Sequence, residues 1–410
     1  MHASNYYTTI VIGGGPAGLF AAANLPSNST LLVDRKESFG KKLLISGSGQ
    51  CNFTHSGSVS DFLLRYGSNG KFLRAALMEF SNVDAASYFK GRGVDYIEDK
   101  NGKLFPRSGK ARDILKVLVD ACGARGVVMN VSTEVLTVSF ENEIFEVATS
   151  KGLFWSKNLV IATGGCSYPT TGSTGDGFKF AASLGHSIVE PRPSLAPVFV
   201  RNYQMAELSG VSLESVQISL FRDGRKVGSH VGPIGFTHKG LSGPAIIDFS
   251  RCIRVNDELR INFTGISPDA FREHFIQSVS KQGRTTIQSF LRVFDMPKNL
   301  VRFILDELGV DTAACISNID AKRRNRLIQL FCDYPFTIDQ VGGFKIAMAT
   351  AGGVSLSEIS AKTMESKICK GLYFAGEVVD IDGDTGGYNI QAALSTGYLV
   401  AKHISQQHTK

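Results

Sequence analysis

The sequence contains no pair of cysteines spaced C-x-x-C, although it has seven cysteines, at positions 51, 122, 166, 252, 315, 332 and 369. That absence excludes a thioredoxin-like redox pair and a zinc ribbon. A chain of 410 residues does not need disulfide staples, so the scattered thiols read as reduced, as in a cytoplasmic protein. The histidines, at 2, 55, 186, 230, 238, 274, 403 and 408, show neither i,i+4 spacing nor an H-E-x-x-H motif. Asp380, Asp382 and Asp384 alternate with other residues but lack EF-hand spacing and its terminal glutamate, so no metal is expected. No membrane span is expected either: the apolar stretch 9–25 is interrupted by Gly13-Gly14-Gly15-Pro16. With no lysine or arginine ahead of it, this stretch does not read as a signal peptide. Internal repeats and low-complexity tracts are also missing.

What is present is a globular composition, 43% hydrophobic and 20% charged, which can bury a large core. Glycine is in excess, 43 of 410 residues, with no collagen-like period, which places it in turns and ligand-cradling loops. The net charge of +7 suits an anionic ligand as readily as nucleic acid.

The clearest local structure lies in the first 35 residues. The β-branched run Thr8 to Ile12 reads as a buried strand, and Leu19 to Leu25 as a helix. Thr30 to Val33 reads as a second strand, ending at Asp34. Between the first strand and the helix lies Gly13-x-Gly15-x-x-Gly18, with Pro16 and Ala17 inside it. A bare G-x-G-x-x-G is weak evidence, but this one opens a helix after a strand and has an acid 21 positions on. Gly13 allows a tight turn, Gly15 close approach of a pyrophosphate, and Gly18 close helix–strand packing. The helix start offers free N–H groups to the diphosphate, and Asp34, followed by Arg35, accepts from the adenosine ribose.

Farther along, a helix is expected over Ala111 to Cys122, β structure over Val127 to Val147, and a buried strand over Leu159 to Thr163, closed by Gly164-Gly165. Beyond Pro191, Pro193 and Pro197, short runs at Val198 to Arg201, Val216 to Phe221, Ile246 to Phe249 and Leu259 to Phe263 suggest a small antiparallel sheet or barrel. Helical spacing follows from Pro268 to Phe331. A strand at Gly371 to Ala375 and a helix from about Asn389 to Ser405 complete the pattern. The expectation is an α/β protein whose Rossmann-like domain is made of residues 1–194 and 346–410. A small antiparallel sheet or barrel (195–266 and 333–345) and a helical subdomain (267–332) are inserted in it.

Four stretches, 40–55, 162–177, 236–244 and 351–389, are similar to the YhiN-like (BaiN-like) flavoproteins, a branch of the FAD-binding Rossmann superfamily. The resemblance spans essentially the whole chain. It implies an FAD domain split by a barrel and a helical subdomain. It also implies that Lys42, Ser46, Gly49, Cys51 and Asn52 lie along FAD, that the Val135 backbone meets the adenine, and that Asp380, Asn389 and Ile390 sit on the flavin side. Thr163 and Gly164 after one strand, and Gly376 and Glu377 after another, complete the expected cofactor set. The sequence departs from the family at Gln50, where an arginine is expected, and at Ala392 and Leu394, where tryptophans are expected.

Catalytic candidates are weaker. His238 could move a proton or hold a loop, Tyr388 could donate a proton or wall the ring, and Cys51 is a redox thiol or, by preference, packing. The basic run Lys322-Arg323-Arg324-Asn325-Arg326 reads first as a solvated face. The expected function is an FAD-dependent oxidoreductase passing hydride between flavin and a small organic substrate. NADH or NADPH would be a transient donor, because no second nucleotide fingerprint exists. The alternative is a flavin-binding redox sensor or electron-transfer protein with a docking insert. An aromatic hydroxylase fits less well, because Gly376-Glu377-Val378-Val379-Asp380 stands where Gly-Asp-Ala is expected. Nucleic acid is disfavoured as a partner.

Overall fold

The structure is a computed structural model, and residues 5–408 are described. The chain divides into two units, residues 1–194 with 344–410, and residues 195–343.

The first unit is built on a seven-stranded sheet. In it β1 (Tyr6–Ile12) lies between β2 (Thr30–Val33) and β6 (Gly152–Ile161), parallel to both. Outside β2 runs the parallel β3 (Val128–Asn130). The first half of β6 pairs antiparallel with β5 (Ile144–Thr149), itself paired with β4 (Val135–Glu141). The second half of β6 pairs in parallel with β9 (Leu372–Phe374). Residues 9–12, 30–33 and 158–161 are buried throughout, which is why these strands read as continuous apolar runs. A separate pair joins β7 (Ile188–Ser194) to β8 (Ala349–Val354).

Five parallel strands end at one edge, and the hydrogen bonds carry past their ends. Gly13 N–H donates to Val33, Asp34 to Asn130, Ala162 to Ile12, and Ala375 to Ile161. The expected cofactor residues after β1, β2, β6 and β9 therefore lie together at the carboxyl edge of the sheet, the place where open α/β sheets bind ligands. The helix α1 (Pro16–Asn24) has proline at its first turn and is almost wholly buried. It packs against α2 (Ala111–Ala124) and the last helix, α4 (Tyr388–His408). Between them in sequence lies α3 (Asp176–Ser183). Phe20 of α1 lies 4.7 Å from Phe80, 4.9 Å from Tyr88 and 6.2 Å from Tyr398, so aromatic packing ties α1 to α4.

A small antiparallel sheet of Thr54–His55, Lys103–Pro106 and Tyr96–Glu98 is also part of this unit. Its short strands carry no alternation to announce them.

In the second unit six strands pair in a closed ring: Val198–Val200, Gly240–Ser242, Arg225–Phe236, Ser212–Arg222, Glu258–Asn262 and Tyr334–Val341. The helices Pro268–Gln282, Lys298–Glu307 and Ala321–Cys332 share one apolar core with these strands, through Phe271, Leu300 and Phe331 among others. One sequence expectation is corrected here. Ile246 to Phe249 is not a strand but part of a short helix, Pro244–Phe249. Pro244 sits at its first turn, Gly243 before it has φ +91°, and the adjacent Ile246 and Ile247 do not alternate.

Candidate functional site

The three glycines of the first turn differ in what surrounds them. Gly13 has φ +107°, and a Cβ there would lie 2.4 Å from the Ala162 carbonyl oxygen, hard against the end of β6 and Thr163. At Gly18 a Cβ would lie 1.8 Å from the Gly13 carbonyl oxygen, so α1 can start here only with glycine. Gly15 is the opposite case: no atom lies within 4 Å of a Cβ placed there. The turn is filled on two sides and open on the third, where the first N–H groups of α1 lack intrahelical partners.

Asp34 is half-buried beside this opening and accepts hydrogen bonds from the Gly14 N–H at 2.7 Å and the Lys36 N–H at 2.8 Å. Burial raises its pKa above the ordinary 3.8, against the lowering effect of those two bonds and of Arg35 and Lys36. The carboxylate is the acceptor a ribose needs, and protonation removes it. Affinity for an adenine dinucleotide is therefore expected to fall on acidification, in a window that opens above the ordinary carboxylate pKa. The fold responds with the opposite sign, because a raised folded pKa makes the charged form the costlier one. Measuring cofactor dissociation against pH for wild type and Asp34→Asn checks this, since the variant should lose the pH step.

Arg35 does not face the opening. Its guanidinium ties three loops together, donating to Glu134 at 2.7 Å, to Thr174 at 2.6 Å and to Asp176. Ser132 and Thr133 donate their N–H groups to the carbonyls of Lys36 and Asp34, which brings Val135, at the start of β4, to the same end of the sheet.

The C-terminal segments meet the N-terminal turn directly. Gly376, with φ +74°, lies so close to α1 that a Cβ would be 2.8 Å from the Ala17 Cβ. Glu377 accepts from Lys42 Nζ at 2.8 Å and 3.1 Å and from the Thr350 N–H at 2.9 Å. Lys42 and Glu377 thus satisfy each other. Gly164 has φ +74° and turns the chain toward Ser173. Leu73, Gly376, Glu377, Val379, Ile381 and Asn389 are among the residues lining a water-sized cavity at this junction.

Asp380 is paired with Asn69, whose Nδ2 donates to the Asp380 carbonyl at 2.7 Å and to its carboxylate at 3.2 Å. Burial raises the Asp380 pKa and the neighbouring Asp382 adds to this, while Asn69, Gly352 and Arg192 act against it. Asn389 spends its side chain on Gly383, accepting at 2.8 Å and donating at 2.9 Å, so it braces the loop before α4. Ile390 packs on the core.

The loop 46–52 is held by the Cys51 N–H donating to the Ser46 carbonyl at 3.0 Å, with Gly47, Ser48, Gly49 and Cys51 all at positive φ. Asn52 is buried and donates to Thr54 at 2.7 Å and Leu104 at 3.0 Å, yet among the described residues its Oδ1 has no donor. A buried acceptor without a donor fits a ligand N–H or O–H. With the open Gly15, it makes the residues of this edge a fit for the expected dinucleotide.

The catalytic candidates are placed as follows. Cys51 is fully buried and its thiol is pushed up to about 12, so at neutral pH it is not a thiolate, and it forms no disulfide. His238 lies exposed in the turn between two barrel strands of the second unit. Tyr388 is buried, with its ring stacked on His55 at 5.0 Å and 19° and edge-on to Phe62. Sequence reasoning missed His55, although it ends one of the motif stretches, and Asn69, which had no local signal. Among the described residues no group of three or more His, Cys, Asp or Glu could hold a metal, and no helix is long and apolar enough to cross a membrane. His2 lies outside the described residues.

The chain is 34% identical over 412 residues to the ribosomal RNA dihydrouridine synthase of Haemophilus influenzae, covering 98% of this chain and all of that one. It is 27% identical over 409 residues to the 3-dehydro-bile acid delta(4,6)-reductase of Clostridium scindens, covering 97% and 98%. Among solved structures, the open conformation of a flavocytochrome c3 fumarate reductase matches with a TM-score of 0.52 at 16% identity, covering 100% of this chain and 80% of the other. That likeness speaks for the fold alone. The family model described as the HI0933-like protein Rossmann domain matches residues 7–403, and the chain belongs to that family.

Proposed function

We propose that the protein is an FAD-dependent reductase that adds hydrogen across a carbon–carbon double bond conjugated to a carbonyl, and that its substrate is a uridine of ribosomal RNA. The observation that carries the cofactor is the contact of Ala17 with Gly376, which sets the open Gly15 turn beside the Glu377–Asp380 segment at one sheet edge. Support for the reaction comes from the relatives. The names dihydrouridine synthase and delta(4,6)-reductase describe one chemistry, saturation of a double bond next to a carbonyl. Support for RNA is the greater likeness to the synthase.

When bound, FAD supplies the hydride. The residues of this chain bind and orient it. The N–H groups after Gly15 would hold the diphosphate, Asp34 the ribose, Asp380 the ribityl hydroxyls, and Asn52 Oδ1 a ligand donor. The stacked pair of buried Tyr388 and half-buried His55 would wall the start of α4, whose partial positive charge stabilises negative charge beside it. NADH or NADPH is the proposed source of the two electrons, docking transiently.

The test is the absorption spectrum of purified protein, anaerobic titration with both nicotinamides, and mass spectrometry of rRNA after incubation. Yellow protein, bleaching by a nicotinamide and new dihydrouridine are expected. Colourless protein that does not quench added FAD would overturn the cofactor. Reduction of a conjugated steroid ketone without dihydrouridine would instead favour a small-molecule reductase, the second reading, which the bile-acid relative supports.

A further inference from the structure

The +7 charge of the chain is unevenly distributed. Residues 90–112 contain seven lysines and arginines against three acids, a net +4 within one short segment. Lys90, Arg92, Lys100, Arg107, Lys110 and Arg112 are all exposed, and among the described residues none of them forms an ion pair. One of the three acids is engaged locally: Asp99 accepts from the N–H groups of Asn101 and Lys103 in its own turn. The basic run 322–326 is different, since Arg323 lies 3.8 Å from Asp320 and Arg326 is paired with Glu307 at 3.3 Å.

This segment is built around the hairpin Tyr96–Glu98 and Lys103–Pro106, and the hairpin is fixed to the cofactor loop. Leu104 pairs with Thr54 and Lys103 with His55. The Leu104 carbonyl accepts from Asn52 Nδ2, the residue whose Oδ1 is unpartnered. A Cβ on Gly47 would lie 3.5 Å from the Phe105 ring. The unpaired cations therefore sit on a rigid element joined to the proposed flavin loop within one unit.

We infer that this hairpin and its flanks are the docking surface for ribosomal RNA, binding phosphates on either side of the uridine to be reduced. The inference rests on the reading that the substrate is rRNA. Compact cations without acidic partners attract a polyanion without the cost of breaking ion pairs. A polymer held here lies next to the loop that carries Asn52 and Cys51. Backbone contacts of this kind position the strand and leave base selection to the pocket.

The experiment uses the FAD-loaded full chain and a variant with Lys100→Gln, Arg107→Gln, Lys110→Gln and Arg112→Gln, titrated with purified rRNA at several salt concentrations. A second variant removes the charges of Lys322, Arg323, Arg324 and Arg326. The hairpin variant is expected to bind at least tenfold more weakly. Its slope of log affinity against log salt should be shallower by about 3, at roughly 0.7 for each contact to a single strand. Flavin content, melting temperature and the rate of flavin bleaching by nicotinamide should stay as in wild type. Equal rRNA binding by wild type and hairpin variant, or loss confined to the second variant, overturns the surface and leaves the rRNA reading intact if dihydrouridine still forms. Wild type that binds no rRNA at low salt overturns the surface, and absence of dihydrouridine then removes the reading beneath it. Binding to vesicles of anionic phospholipid in place of rRNA also overturns it.

Discussion

Gly15→Val should give a protein that folds as wild type but comes off the column colourless. Gly15 has φ −81° and ψ −177°, extended backbone that any residue adopts, and its side-chain direction opens into empty space. At this helix start valine in place of glycine costs the fold no more than about 1 kcal/mol. The branched side chain would fill the space through which a diphosphate reaches the N–H groups of α1. A loss of at least hundredfold in FAD affinity is expected, about 3 kcal/mol. Fluorescence quenching of added FAD and the melting temperature of the apoprotein are the two measurements. Gly18→Val is the contrasting variant, since its Cβ would lie 1.8 Å from the Gly13 carbonyl oxygen. It should lower the apo melting temperature as well, because helix and turn must separate. Gly15→Val protein that stays yellow would show that the diphosphate does not lie against this turn.

Glu377→Ala should be strongly destabilising. The Glu377 carboxylate accepts from Lys42 Nζ and from the Thr350 N–H, and its side chain is 17% exposed against 25% for Lys42. Deletion leaves a largely buried ammonium and a backbone N–H without their acceptor. Breaking such a pair costs about 3 kcal/mol at the lower end of the buried range, since both groups keep some solvent. The expected result is a melting temperature lower by several degrees. Glu377→Gln keeps the acceptor for Thr350 and should recover part of the loss, and the double change Lys42→Met, Glu377→Gln more of it. If Glu377→Ala melts with wild type, the pair is ornamental and Lys42 is free to serve a ligand.

The glycine turn was legible because its steric demands are local: positive φ at Gly13 and close approach at Gly18 involve residues five apart. The buried parallel strands were legible for a similar reason, since each is a short run of β-branched and aliphatic residues. Legibility ended where a strand breaks the pattern. Arg225–Phe236 is a long barrel strand whose charged, glycine and histidine positions hide the alternation, and Ile246–Phe249 imitated a strand because a helix turn and a short strand can hold the same apolar residues. Partners far apart in sequence could not be read at all. Asn69 reaches Asp380 across 311 positions, and the Lys42–Glu377 pair spans 335. Nor could the sequence distinguish paired from unpaired cations, which is what separates residues 90–112 from residues 322–326.

The helix Tyr388–His408 packs on Pro16–Asn24, so the two halves of the proposed nucleotide cradle come from segments far apart along the chain. When Ser194 leaves the ribosome, the sheet lacks Leu372–Phe374 and α1 lacks the neighbour that covers Phe20 and Ala17. At about 5–20 residues per second, more than 200 further residues take on the order of tens of seconds. During that interval α1 has α2, Phe80 and Tyr88 against it but lacks its packing partner α4. Loading of the cofactor would therefore wait until α4 has been made, with the face of α1 that meets α4 uncovered until then.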